Sequence, residues 1–169
     1  MKKIITSIFI FSALLFSYPA FSQIIKGTYA IKNVQTGMLM RIKDASRKDN
    51  TPLVAYNPVN WKCVTWNFNH IDGQTYLLEN LLTGKTFQPL TEIPANGDEL
   101  KQQSINNTVS QQYEFLPVEK NIYLIRLKGT DLYVTPSDSS GTVNAPLILS
   151  KRNNSKWQQW IIYEQHPVI

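Results

Sequence analysis

Side chains able to do covalent or proton-transfer chemistry are few in this 169-residue chain and stand apart from one another. There is one cysteine, Cys63, and there are two histidines, His70 and His166, the second close to the C-terminal end. A nucleophilic Cys63 needs a histidine beside it, and no G-x-S-x-G, H-E-x-x-H or Cys/His pairing supplies that spacing. Glu79, Glu92, Glu99 and Glu114 are scattered, so nothing pairs two carboxylates as a glycosidase does; solvated surface charge accounts for them. The expectation is a protein that is not an enzyme and carries no cofactor and no metal. What the sequence concentrates is rings and amides: "KWQQWII", residues 156–162, places Trp157, Gln158, Gln159 and Trp160 in succession. Such residues make either a recognition surface or a packed core, and the elements around them decide which.

The chain opens MKKIITSIFIFSALLFSYPAFSQ: a Lys2/Lys3 pair, an apolar run, then Ala20-Phe21-Ser22. This reads as a secretory signal peptide over residues 1–22, cleaved before Gln23. Ser17, Pro19 and Ser22 interrupt the run before it reaches the roughly 20 apolar residues that a spanning helix needs. The expected product is secreted, extracellular or periplasmic, with no membrane insertion after cleavage. The remaining 147 residues suit one domain. With a single cysteine no disulfide forms within the chain, so packing must hold the fold together. Without Lys2 and Lys3 the net charge falls to about +3, too mild and too evenly spread to indicate a nucleic-acid partner.

Sliding the sequence against itself by 47 residues aligns Tyr29, Tyr76 and Tyr123; Leu53, Leu100 and Leu147; Asn60, Asn107 and Asn154; and the aromatics Trp66, Tyr113 and Trp160. Ile31/Leu78/Ile125, Thr36/Thr83/Thr130, Met40/Phe87/Val134 and Phe68/Phe115/Ile162 fill further columns without insertion or deletion. The domain is therefore expected to be a lead-in followed by three units, 29–75, 76–122 and 123–169.

Within each unit the signals are those of short strands. "TYAIKN", "TYLLEN" and "IYLIRL" alternate with period 2. Tight turns are expected at Thr36-Gly37, Thr83-Gly84 and Thr130-Asp131. "MLMRI", "KTFQP" and "LYVTP" give second strands, with Pro89 and Pro136 as stops. A polar connection ends on Asn50, Gly97 or Asn144, residues that tolerate left-handed backbone. "PLVAY", "ELKQQ" and "PLILS" give third strands; "VTWNF", "QQYEF" and "QQWII" give fourth. No helical periodicity is present. The fold class is all-β, and because a unit of this size cannot bury its own apolar face, three units closing one barrel and capping it make a β-trefoil of about twelve short strands.

The unit, Y-x-I-x-N-x-x-T-G, a Leu/Val/Tyr-rich strand, N-(x)-T-P-L, an Asn-bearing loop and Gln-Gln-Trp, resembles the ricin-type β-trefoil lectin domain with its threefold Q-x-W signature. The likeness covers residues 23–169, with each signature aromatic 13 residues after a Leu. It implies that Trp66, Tyr113 and Trp160 fill a shared core and that Gln111 and Gln158 bond nearby main chain; unit one departs, having Val64 where the Gln belongs.

The resemblance also implies a shallow sugar pocket built from an Asp after the second strand, an aromatic ending the third, and an Asn before the Q-x-W Gln. These positions fall on Arg41, Gln88 and Thr135; on Tyr56, Gln103 and Ser150; and on Cys63, Ser110 and Trp157. No unit keeps the full set. Unit one keeps the ring Tyr56, with Asn57, Asn60 and Trp61 nearby and Arg41 as a donor, and is the first choice of site; the alternative is that Tyr56 and Trp61 cover the barrel flank. Unit three offers Trp157, Asn154, Asp138 and Thr135, unless Trp157 is simply half-buried beside Trp160. Asp44 and Asp138 share a column and either reach a ligand or cap turns. Two functions follow: carbohydrate binding, of a glycan or polysaccharide, through degenerate sites; or binding of a protein partner, as inhibitor or adhesin, through "LTEIPANGDE" with Ile93 and Pro94 at its centre.

Overall fold

Alternating side chains in each unit build two kinds of strand pair. The computed structural model describes residues 23–169; the expected signal segment, 1–22, lies outside the described residues. Six strands close a ring: β1 (Thr28–Asn33), β4 (Thr65–Asp72), β5 (Thr75–Asn80), β8 (Tyr113–Glu119), β9 (Ile122–Leu127) and β12 (Gln159–Glu164), each antiparallel to both neighbours. The register repeats around the ring: Tyr29 opposes Trp66, Tyr76 opposes Tyr113, and Tyr123 opposes Trp160. Three hairpins cover one end, β2 (Leu39–Ile42) with β3 (Leu53–Tyr56), β6 (Thr86–Pro89) with β7 (Leu100–Gln103), and β10 (Leu132–Pro136) with β11 (Leu147–Lys151). Barrel and cap together are a β-trefoil.

The hairpins lock to one another in a cycle. The Asn50 amide donates to the Gln102 carbonyl at 2.9 Å, that of Gly97 to Leu149 at 2.8 Å, and that of Asn144 to Ala55 at 2.8 Å. All three donors sit in left-handed backbone, φ +63°, +98° and +67°, the region that Asn and Gly enter at least cost.

Two details differ from the sequence expectation. Val64, Gln111 and Gln158 do not begin the fourth strands; they end one-turn 3-10 segments, Lys62–Val64, Val109–Gln111 and Lys156–Gln158, which turn the chain into β4, β8 and β12. In unit three the tight turn is one residue shorter: Gly129 takes the positive φ of +77°, and Thr130, not Asp131, returns its amide to the Leu127 carbonyl.

The main core cluster runs through all three units, and a smaller one gathers Ala30, Leu39, Cys63 and Val64. Trp66 and Tyr113 are 0% exposed and Trp160 1%. Each ring donates to the second strand of its own unit: Trp66 Nε1 to the Met40 carbonyl at 3.1 Å, Tyr113 Oη to Phe87 at 3.2 Å, Trp160 Nε1 to Val134 at 2.9 Å. These bonds tie barrel to cap. Burial pushes the Tyr113 hydroxyl well above the usual tyrosine range, so it stays a donor. At the far end Phe68, Tyr76 and Phe115 meet edge to face, and the lead-in lays Ile25 against them with its amide on the Tyr76 hydroxyl at 3.0 Å.

Trp160→Ala is expected to cost about 3 to 5 kcal/mol, whereas Tyr113→Phe, which removes only the hydroxyl, is expected to cost about 1 kcal/mol. Urea unfolding followed by circular dichroism checks both; equal losses would mean that the hydrogen bond, not ring volume, dominates.

Candidate functional site

In units two and three the signature glutamine organises everything around it. Gln111 is fully buried; its Oε1 accepts the Asn106 and Asn107 amides at 2.9 and 3.1 Å, and its Nε2 donates to Gln88 Oε1 at 2.8 Å and the Ser104 carbonyl at 2.9 Å. Gln158 does the same: Oε1 accepts the Asn153 amide at 2.8 Å, while Nε2 faces Thr135 Oγ1, Ser150 Oγ and the Lys151 carbonyl at 3.3, 2.8 and 2.8 Å. Gln88 and Thr135, the residues at the family's acidic position, therefore spend hydrogen-bonding capacity inward. Gln103, at the ring position of unit two, donates to Asn50 Oδ1 at 2.7 Å.

Unit one is built differently because Val64 has no amide to offer. Arg41 is only 8% exposed. Its guanidinium carbon lies 3.9 Å from the centre of the half-buried Tyr56 ring, a cation–π stack. Trp61, 37% exposed, stands 6.2 Å from Tyr56, tilted by 36°. Exposed Asn57 and Asn60 lie on the loop between the two rings. Asn60 is not among the positive-φ residues, unlike its counterparts Asn107 and Asn154 at +60° and +56°; without the glutamine to gather the loop amides, this loop takes another path. Arg41, Tyr56 and Trp61 are thus brought together, with one face of Tyr56 already covered by the guanidinium.

Unit three does not gather its candidates. The carboxylate of Asp138 caps its own turn, accepting the Ser140 amide and hydroxyl at 2.8 and 2.7 Å and the Thr142 amide at 3.3 Å; Thr142 and Ser140 hold it well below the usual carboxylate range. Asn154 Oδ1 accepts from Arg152 Nε at 2.8 Å. Trp157 is half-buried with its indole nitrogen sealed and unpartnered. Asp44, the counterpart of Asp138, is exposed at φ +54° with no hydrogen-bond partner among the described residues, so the two aspartates of that column have diverged. Cys63 is 4% exposed, a small core side chain rather than a thiol able to join two chains.

Two features at the unit joints have no role assigned from the sequence, although the Asn of Y-x-I-x-N-x-x-T-G is the first of them. Asn80, buried at 0% exposure, receives the Leu82 and Thr83 amides on Oδ1 at 3.2 and 3.3 Å and donates Nδ2 to the Cys63 carbonyl at 3.1 Å. Asn33 repeats this at the joint with unit three, donating to the Trp157 carbonyl at 2.8 Å. Leu127 occupies the third such position, leaving that joint without the bridge. The loop of unit one is also strapped from the C-terminal segment: Gln165 Nε2 donates to the Val59 carbonyl, and the Lys62 amide donates to the Ile169 carbonyl, both at 2.7 Å. Gln165 belongs to no repeated column, so self-comparison does not reveal it.

Residues 20–103, about half of the chain, match the family model described as a ricin-type beta-trefoil lectin domain-like family. The chain belongs to the ricin-type β-trefoil lectin-like family. Among solved structures it is similar to a designed threefold-symmetric protein, ThreeFoil, at 17% identity and TM-score 0.77, over 81% of this chain and 98% of that one. The ricin B-like lectin of Macrolepiota procera, solved with lactose, aligns at 21% identity and TM-score 0.68 over 83% and 98%. An exo-beta-1,3-galactanase from Clostridium thermocellum aligns at 16% identity and TM-score 0.76 over 80% of this chain but 29% of its own. At these identities the likeness carries the fold. A comparison with curated proteins gives no match.

Within this ricin-type frame the joints are testable. Asn80→Ala, which strands the Cys63 carbonyl and two turn amides, is expected to lower stability by about 1 to 3 kcal/mol, whereas Asn57→Ala, exposed and without positive φ, costs less than half as much. Urea midpoints compare the two.

Proposed function

We propose that this protein is a secreted carbohydrate-binding module whose working site is the Arg41/Tyr56/Trp61 cluster of unit one. The observation that carries the reading is that cluster: two rings 6.2 Å apart, one exposed, joined by a loop that carries exposed Asn57 and Asn60. An aromatic face takes the C–H face of a sugar while amides bond its hydroxyls. Gln88 and Thr135, bonded to the signature glutamines, and Gln103, bonded to Asn50, support degenerate sites in units two and three. The family is a lectin-like one, and rings beside a cation suit binding. The Lys2/Lys3 pair and the small-residue cleavage pattern before Gln23 support export. One shallow site binds weakly, so avidity comes from several copies displayed together.

The test is a glycan array probed with residues 23–169 displayed multivalently. Trp61→Ala and Tyr56→Ala, shown by circular dichroism to stay folded, are expected to lose at least tenfold in binding, and Trp157→Ala less than twofold. Equal binding by all three variants would remove unit one as the site.

One observation favours a second reading, capture of a protein partner. Ile93, at the tip of the unit-two loop, is 84% exposed, with Leu90 at 48% and Val109 at 55%; an apolar tip of this kind suits a protein surface. If that loop is the working surface, Ile93→Ser with Pro94→Ser abolishes partner capture from a secreted-protein mixture and leaves array binding intact; unchanged capture removes the loop from consideration.

A further inference from the structure

Arg41 is a buried cation without a counter-charge. It lies on β2 opposite Val54 and is 8% exposed, yet none of the ion pairs among the described residues includes it. It also makes no side-chain hydrogen bond to them. Its Nε is sealed from solvent and unpartnered, while its two terminal nitrogens are not sealed. The fork of the guanidinium therefore ends at the surface, against Tyr56, whose ring stands 6.2 Å from that of Trp61.

Units two and three show how this position is satisfied when the signature glutamine is present: Gln88 and Thr135 each pair with it. In both, the glutamine Nε2 donates to this position; Val64 removes that donor in unit one, and the position there is held by Arg41, which brings five donors and no acceptor and so has no use for it. Burying a charge without a partner is unfavourable. Stacking on Tyr56 offsets part of this, but the ring covers a face of the guanidinium and leaves its edge unbonded. Two parallel N–H groups at an edge match two oxygens of one oxyanion, a geometry that a sugar hydroxyl cannot supply.

We infer that the ligand of the unit-one site is an acidic glycan, and that Arg41 binds its carboxylate or sulfate through the two terminal nitrogens while Trp61 meets the sugar ring. This rests on the glycan-binding reading above. It specifies the ligand class of a site where the family's acidic residue has become a cation, reversing the charge that a hydroxyl-rich neutral sugar would meet.

The experiment uses a panel of uronate-bearing polysaccharides before and after carboxyl reduction, and sulfated galactans before and after desulfation, with residues 23–169 displayed multivalently. Retention is expected to fall at least tenfold when the anionic group is removed; which pair shows the fall distinguishes carboxylate from sulfate, and either supports the inference. Arg41→Gln, which copies the side chain of unit two, is expected to lose that preference, so that acidic and neutral polymers are retained alike. Lys120→Ala, which removes one exposed charge far from the site, leaves the preference unchanged. Equal loss in both variants would mean diffuse charge attraction and overturn the inference. Should Arg41→Gln not fold, the unaltered protein still decides: the Arg41 Nε–H resonance is expected to shift on adding glucuronate or a galactose sulfate but not glucose, and no shift with either anion overturns the assignment. Equal retention on acidic and neutral polymers leaves glycan binding standing and removes the acidic class; retention on none of them removes both.

Discussion

The fold depends on one contact made three times over, a fully buried ring that fills the space under the cap and donates to the carbonyl of the second strand in its own unit. Trp66, Tyr113 and Trp160 stand on the barrel, and their partners, Met40, Phe87 and Val134, stand on the cap. A six-stranded barrel alone leaves one end open, and three two-stranded hairpins alone are marginal in water. The rings fill the space between the two layers, and their polar ends, which would otherwise be stranded in the core, fix where each hairpin sits. The cyclic backbone bonds of Asn50, Gly97 and Asn144 then close the cap, because every hairpin already has its place.

With the scaffold held by rings and main chain, the glutamine network beneath each surface pocket is free to vary. Unit one lost it. Val64 is as buried as Gln111 and Gln158, so packing survives the exchange, but the loop amides and the residue on β2 lose their common partner. The loop from Tyr56 to Trp61 follows a different path, and Arg41 turns onto Tyr56. One substitution in the core thus explains three surface differences, and places the molecule's most exposed tryptophan next to its most buried arginine.

The architecture was legible in the sequence because a threefold repeat reports non-local pairing directly. Columns such as Tyr29/Tyr76/Tyr123 are residues that face the same partners in successive units, and the structure pairs each of them with a signature aromatic. Where the repeat is imperfect it misleads: the turn of unit three moved to Gly129 because Leu127 lacks the amide with which Asn33 and Asn80 organise their longer turns. The site was legible only as a set of residue types. That Arg41 stacks on Tyr56, rather than reaching freely into solvent, follows from the absence of a glutamine that lies 23 residues away in sequence, a relation between two columns that neither shows alone. Gln165 and its strap were invisible because nothing repeats them.

The three joints make the same separation between scaffold and surface. Asn33 and Asn80 stitch the turn of one unit to the carbonyl of the preceding one, while at the third joint Leu127 supplies only apolar packing and the groove beside Val109 and Gly129 opens. A structure whose stability came from identical joints would tolerate no such loss; this one does because its core is continuous through all three units. Stability is therefore shared and recognition is local. The three units can keep one hydrophobic interior while each surface pocket follows its own chemistry, and the unit that departs furthest from the shared polar pattern is the one that brings two rings and an unpaired cation together.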